Sequence, residues 1–201
     1  MSDAKGISVL AICGSLRAGS YNRAALRTAI ELKPPGMIIE TADIGSFPLY
    51  NEDVRAQGFP PPVEKLRQQI KEADALLFAT PEYNYSISGV LKNAIDWASR
   101  PVGTAALRGK NVAVIGASTG IFGAVWSQAE TRKALAAAGA RVLDRELAVP
   151  AAHEQFGPDG DLLDPELQVG LRELLAELLR EVRTTIELRG VPPLSSGRAL
   201  R

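Results

Sequence analysis

Apolar residues in this chain fall into two alternating patterns: short unbroken runs, and longer stretches in which they return every three or four positions. The runs are Ile7-Ser8-Val9-Leu10-Ala11-Ile12, Met37-Ile38-Ile39-Glu40-Thr41-Ala42, Ala75-Leu76-Leu77-Phe78-Ala79-Thr80, Asn111-Val112-Ala113-Val114-Ile115-Gly116 and a segment opening at Arg141-Val142-Leu143. Their β-branched content and their glycine or proline borders predict strands, and the first run, apolar between its glycines, reads as buried on both faces, as in a parallel sheet. Between the runs, Ala24, Ala25, Leu26, Ala29, Ile30 and Leu32 keep helical spacing until Pro34-Pro35-Gly36 stops them. Val63, Leu66, Ile70 and Ala73 outline a second helix, and residues 88–99 and 125–138 a third and a fourth. A last helix carries Leu167, Leu171, Leu174, Leu175, Leu178, Val182 and Ile186 on one stripe, enough to cover an outer face of a sheet. Five strand–helix units in succession predict an α/β fold: a doubly wound, five-stranded parallel sheet with helices on both faces, because right-handed crossovers permit little else.

Two segments stand outside this rhythm. Asp43 to Pro62 holds Gly45, Pro48, Gly58 and three consecutive prolines, is longer than a simple connection requires, and is expected to be a functional loop. Gly190 to Arg201 is too poor in apolar residues to pack, which leaves residues 1–189 as a single domain and residues 190–201 as an expected disordered tail.

Composition narrows the partners. Lys and Arg number 23 and Asp and Glu number 23, so there is no electrostatic surplus of the kind that nucleic acid or an anionic membrane surface requires. No apolar run approaches the roughly 18 residues of a membrane span. Met1-Ser2-Asp3-Ala4-Lys5-Gly6 leads into the first run without a small-residue cleavage site, so a cytoplasmic protein is expected. One cysteine, Cys13, and one histidine, His153, argue against a disulfide and against a Cys/His metal site.

In an open α/β sheet, ligands bind beyond the carboxyl ends of the strands, where the strand order reverses. Three loops qualify. Gly14-Ser15-Leu16-Arg17-Ala18-Gly19-Ser20-Tyr21-Asn22 joins the first strand to a helix and has the chemistry of an anion site. Its helix N-terminus offers unsatisfied N–H groups, Ser15, Ser20 and Asn22 add side-chain donors, and Arg17 adds a full charge. The plainer alternative makes Ser20 or Asn22 a helix N-cap and Arg17 a solvated side chain. The dinucleotide pattern G-x-G-x-x-G lacks its middle glycine here, and no Walker Gly-Lys-Ser/Thr follows, so a monophosphate fits better than a pyrophosphate. The second loop, Thr80 to Gly89, concentrates Tyr83, Asn84 and Tyr85, which suits a planar heteroaromatic ligand; ordinary loop packing is the alternative. The third, Gly116-Ala117-Ser118-Thr119-Gly120-Ile121-Phe122-Gly123, has glycines that let its backbone approach a ligand closely. It also matches the G-x-S-x-G elbow of serine hydrolases, with Asp144 and His153 following in hydrolase order, although the chain is short for that fold.

Gly14-Ser15-Leu16-Arg17 with Ser20-Tyr21-Asn22, then Pro81-Glu82-Tyr83-Asn84-Tyr85-Ser86 running into Gly89-Val90-Leu91-Lys92-Asn93-Ala94-Ile95-Asp96-Trp97, resemble the NADPH-dependent FMN reductases among the flavodoxin-like proteins. The likeness is closest to the bacterial quinone and chromate reductase branch and runs from about residue 7 to about residue 187. It implies a flavodoxin-like strand order of 2-1-3-4-5. It implies Ser15, Arg17, Ser20, Tyr21 and Asn22 around an FMN phosphate, Pro81, Glu82, Tyr83 and Asn84 along the flavin ring, and Ser118 and Gly120 near the ring or ribityl chain. It further implies NADPH or NADH as donor, ping-pong transfer to a small-molecule acceptor such as a quinone, free flavin, azo compound or chromate, and a homodimer or homotetramer. A flavin performs the redox chemistry itself, so no catalytic acid–base pair among the side chains is expected. A flavodoxin-like FMN electron carrier without NADPH turnover is the alternative, disfavoured by the lack of the acidic docking surface that small carriers tend to show.

Overall fold

A computed structural model describes residues 6–190; residues 1–5 and, beyond Gly190, the expected tail lie outside the described residues. The first unit is β1 (Ile7–Cys13), α1 (Tyr21–Leu32) and β2 (Met37–Ala42). It is followed by a short α2 (Glu52–Ala56), then α3 (Pro61–Glu72) and β3 (Ala75–Thr80). A two-residue pair, β4 (Glu82–Tyr83) and β5 (Ser86–Ile87), precedes α4 (Gly89–Ala98). The chain closes with β6 (Asn111–Ala117), α5 (Val125–Ala137), β7 (Arg141–Val149), the short α6 (Ala152–Gln155) and the long α7 (Pro165–Gly190).

Five strands form one wholly parallel sheet in the order β2-β1-β3-β6-β7. Counting only these strands, the order is the flavodoxin-like 2-1-3-4-5. The pattern of the runs explains their places. Every position of β3 and of β6 is buried, as a central strand covered on both faces requires, whereas β2 alternates buried Met37 and Ile39 with exposed Ile38 and Glu40, as an edge strand does. At the other edge the β6–β7 register shifts between Val112 and Val114, a bulge that turns Asp144 and Arg145 to solvent.

Two cores sandwich the sheet. On one face α1 and α7 bury Ala25, Leu26 and Ala29 with Leu171, Leu174, Leu175 and Leu178. Each of those four fully buried leucines stabilises the fold by roughly 1.5–3 kcal/mol. The stripe of α7 ends at Val182; Ile186, expected on it, is exposed. On the opposite face α3, α4 and α5 contribute Leu66, Ile70, Leu91, Ile95 and Leu135. The loop after β1 therefore runs to one face and the loop after β3 to the other. A crevice opens between them at the carboxyl ends of the strands.

The Asp43–Pro62 segment, expected as a functional loop, is a packed strap around α4. Asn93 Nδ2 and Trp97 Nε1 both donate to Pro48 O, at 2.9 and 2.8 Å, and Tyr50 N–H donates to Asn93 Oδ1 at 2.8 Å. Tyr50 sets its ring edge-on to Trp97 at 4.9 Å. Arg67, 3 % exposed, stacks its guanidinium 3.9 Å from the Phe59 ring centroid and donates to the carbonyls of Trp97 and Arg100. Burial lowers its pKa, and those carbonyls with the Phe59 ring compensate the buried charge. The resemblance motif around Asn93 and Trp97 thus holds the strap.

Candidate functional site

The first loop is locked before any ligand is considered. Gly14 N–H donates to Ala79 O at 2.8 Å, and the Ser88 hydroxyl, which caps α4, donates to Gly14 O at 2.7 Å. A Cβ on Gly14 would sit 2.9 Å from both Leu91 and Pro81, so only glycine lets this loop pass so close to the neighbouring strand end and helix. Ser20 is the N-cap of α1, its hydroxyl accepting from Arg23 N at 3.4 Å. Asn22, 3 % exposed, donates to Ala117 O at 2.9 Å and accepts from Ala117 N at 3.0 Å. It clamps the first loop to the third.

What the first loop leaves open is positive and polar. Ser15 is 5 % exposed, yet its hydroxyl has no hydrogen-bond partner among the described residues. Arg17 is exposed and, among the described residues, has no carboxylate partner; its guanidinium lies 5.5 Å from the centroid of the Tyr21 ring, which also stacks on Phe156 at 5.8 Å. The first turn of α1 contains no acidic residue to neutralise the dipole.

The second loop is a β-hairpin. Tyr83 pairs with Ser86, and the two residues between them, Asn84 and Tyr85, both have positive φ, 52° and 59°. This is the primed-turn geometry that matches strand twist. Asparagine tolerates it, whereas tyrosine carries a penalty of roughly 1–2 kcal/mol. Ring contact holds Tyr85 there: it meets Trp126 edge-on at 5.0 Å, and Trp126 meets Phe122 at 4.9 Å. At the hairpin base, Glu82 accepts from Ser127 N at 3.1 Å, supplying the carboxylate cap that α5 lacks from its own N-cap, Ala124. The Ser127 hydroxyl donates to Pro81 O at 2.8 Å.

The third loop is tied to the chain after β7. Ser118 N–H donates to Val149 O, Ala151 N–H to Gly120 O and Ala152 N–H to Ser118 O. A Cβ on Gly123, whose φ is +59°, would lie 2.8 Å from the backbone of Val149 and Pro150. The Ser118 hydroxyl accepts from Gly120 N at 3.2 Å. His153 pairs instead with Glu154 and Asp144 with Arg132, so the hydrolase-like order of Ser118, Asp144 and His153 does not become a triad.

The three loops converge on a cavity of about 150 Å³. Ser15, Arg17, Ser20, Tyr21 and Asn22 come from the first, Pro81, Glu82 and Tyr83 from the second, and Ser118 from the third. Asn84 and Gly120, expected in the site, are not among its lining residues; Ala117 and Thr119, not expected, are. The volume suits a phosphate with part of its chain and is below the roughly 300–1,000 Å³ that enclose a whole ligand. A ring attached there must lie along the open surface beside the hairpin.

Residues 7–154 match the sequence profile of a family described as NADPH-dependent FMN reductase. The chain belongs to that family. It is 53 % identical over 192 residues to a NAD(P)H-dependent FMN reductase of Pseudomonas aeruginosa, covering 94 % of this chain and all of that protein. It is 44 % identical over 179 residues to an NAD(P)H:quinone oxidoreductase of Solanum tuberosum, covering 86 % and 91 % of the two chains. Among solved structures, FerB, a flavoenzyme NAD(P)H:(acceptor) oxidoreductase from Paracoccus denitrificans, superposes with a TM-score of 0.79 at 32 % identity, over 89 % of this chain and 98 % of that one.

The residues present fit an FMN. The Ser15 hydroxyl, the Arg17 guanidinium and the start of α1 form a donor set for a phosphate dianion, within a cradle that a Cβ on Gly14 would distort. No group of three or more His, Cys, Asp or Glu able to hold a metal exists among the described residues. None of the helices among the described residues is long and apolar enough to cross a membrane. The aromatic cluster of Tyr85, Phe122 and Trp126 escaped sequence reasoning because its members lie on two loops and a helix that meet only in the fold.

Proposed function

We propose that this chain is an FMN-dependent NAD(P)H oxidoreductase that passes electrons to small-molecule acceptors, quinones first among them. The observation that carries this reading is the convergence of three strand-end loops on a phosphate-sized cavity that holds an arginine without a carboxylate partner among the described residues and opens beside an exposed aromatic hairpin. Bound there, FMN supplies two-electron transfer between a reduced nicotinamide and the acceptor in the two half-reactions of a ping-pong cycle. Arg17 and the Ser15 and Ser20 hydroxyls hold the phosphate, and Tyr21 presents Arg17 to it. Asn22 and Glu82 act as framework: Asn22 fixes the first loop on the third, and Glu82 fixes the hairpin on α5. Pro81, Tyr83 and Asn84 would border the ring, with Ser118 and Gly120 near the ring or the ribityl chain.

Tyr83 and Tyr85, 55 % and 70 % exposed, leave the ring's outer face accessible to donor and acceptor in turn. Such an open face also admits free flavin, azo compounds and chromate. In this reading the protein works in the cytoplasm as a homodimer or homotetramer.

The test is the absorbance spectrum of purified protein titrated with FMN, followed by anaerobic addition of NADPH. Saturable FMN binding with bleaching of the flavin band by NADPH is the expected result. Binding without bleaching replaces the enzyme with an electron carrier, and failure to bind FMN overturns the reading.

A further inference from the structure

On the other side of the first loop lies a larger groove, of about 720 Å³, between α1 and the segment that leaves β2. This volume is within the range of sites that enclose a small ligand, and the flavin reading leaves the groove unused. Its apolar lining comes from Leu16, Leu26, Ile30 and Ile44, with Cys13 beside them. Ser15 lines both this groove and the smaller cavity, so the two are contiguous across the first loop. Arg23 and Arg27 line it one helical turn apart on α1, and neither has a carboxylate partner among the described residues. Burial pushes the Cys13 thiol upward in pKa, against its hydrogen bonds to Ser15 and Ser20 and, least, the Arg23 charge. Arg27 reaches across α1, its Nη2 lying where a Cβ on Gly160 would sit. The one carboxylate of the groove, Asp43, has an oxygen engaged by Gly45 N–H at 2.9 Å.

The ends of the first two strands are where dinucleotide folds receive the adenosine half of their cofactor; there an acidic residue holds the ribose 2′-hydroxyl, and an arginine accommodates a 2′-phosphate. Nicotinamide stacked on a flavin leaves the adenosine half of the donor without a seat. We propose that this groove receives the adenosine 2′-phosphate half of NADPH, with the base against Leu16, Leu26 and Ile30 and the 2′-phosphate on Arg23. The assignment rests on the NAD(P)H-dependent reading above and names the element that distinguishes NADPH from NADH.

The experiment is calorimetric titration of FMN-saturated protein with 2′,5′-ADP and with 5′-AMP, on the wild type and on Arg23→Gln and Arg23→Gln/Arg27→Gln. The ratio of KM for NADH to KM for NADPH is measured on the same proteins. The wild type is expected to bind 2′,5′-ADP at least tenfold more tightly than 5′-AMP. Arg23→Gln should lose at least tenfold of that affinity and a similar factor in the KM ratio, and the double variant no less. Both arginines are exposed, so the variants should fold, and an FMN titration on each checks that the neighbouring loop is intact. Wild-type protein that does not bind 2′,5′-ADP, or a double variant that binds it undiminished, overturns the proposal. Tighter binding of 5′-AMP overturns it as well, because Asp43 then prevails and the groove selects a free ribose hydroxyl. If neither NADPH nor NADH reduces the flavin while 2′,5′-ADP binds as expected, the enzyme reading fails and the groove stands.

Discussion

Residues 14–22 and residues 82–87 border one cavity, and the chain secures them by different means. In the first loop buried hydrogen bonds do the holding: Gly14 is bound at both its N–H and its carbonyl, and Asn22 closes a pair of bonds on Ala117. In the hairpin a left-handed Tyr85 is held by ring contact with Trp126, and its tip stands in solvent. The difference matches what each end must do. A phosphate gains from donors only when they are already aimed, so displacement of the loop forfeits charge-assisted bonds. Stacking on an aromatic surface tolerates shifts, so the ring end can remain adaptable and open.

The largest test of this contrast is Asn22→Ala. It leaves the Ala117 N–H and carbonyl unpaired in a buried setting and is expected to cost about 2–4 kcal/mol, lowering the melting temperature by roughly 5–15 °C. Thermal unfolding followed by circular dichroism checks it, and an unchanged midpoint would mean that the clamp is not what fixes the loop. Arg17→Ala should weaken FMN binding by about 10- to 100-fold, the worth of one charge-assisted contact, with little change in melting temperature because Arg17 is exposed. Fluorescence titration of FMN measures it; undiminished affinity removes Arg17 from the phosphate site.

At the hairpin the expected effects are smaller and one reverses sign. Tyr85→Gly relieves the left-handed strain but loses the edge contact with Trp126, for a net gain of about 0.5–1 kcal/mol and a melting temperature roughly 1–3 °C higher. A lower midpoint would show that the aromatic cluster, and not the turn, governs this region. Glu82→Gln keeps an acceptor for Ser127 N–H and removes the charge at the start of α5, for a loss of about 0.3–1 kcal/mol. Denaturant unfolding measures that difference, and a loss as large as that of Asn22→Ala would dissolve the distinction between the two regions.

The five long strands were legible because each is a short apolar run with clear borders, and the three ligand loops because they follow strands one, three and four. Nine of the eleven expected site residues line the cavity. What was illegible depended on distance. The hairpin strands have two residues each, and Tyr85 stands where a turn of this kind ordinarily places glycine, so no local signal announced the turn. Asp43–Pro62 read as a functional loop because Asn93 and Trp97, which pin it, lie more than 40 positions along the chain. Asn22 read as a phosphate ligand, with a helix cap as the alternative, until its partner 95 residues away was in view.

By itself the sequence determined where the five long strands and the main helices lie and which loops carry donors and aromatic rings. Those properties are local: periodicity, backbone propensity and the reach of a side chain along its own segment decide them. Only the tertiary structure decided that Asn22 and Glu82 hold the framework, that His153 and Asp144 pair away from Ser118, and that Arg23 lines a second groove joined to the first. Each of these is a meeting of residues distant in the chain, and such meetings arise when the whole sheet is closed and its loops are packed end to end.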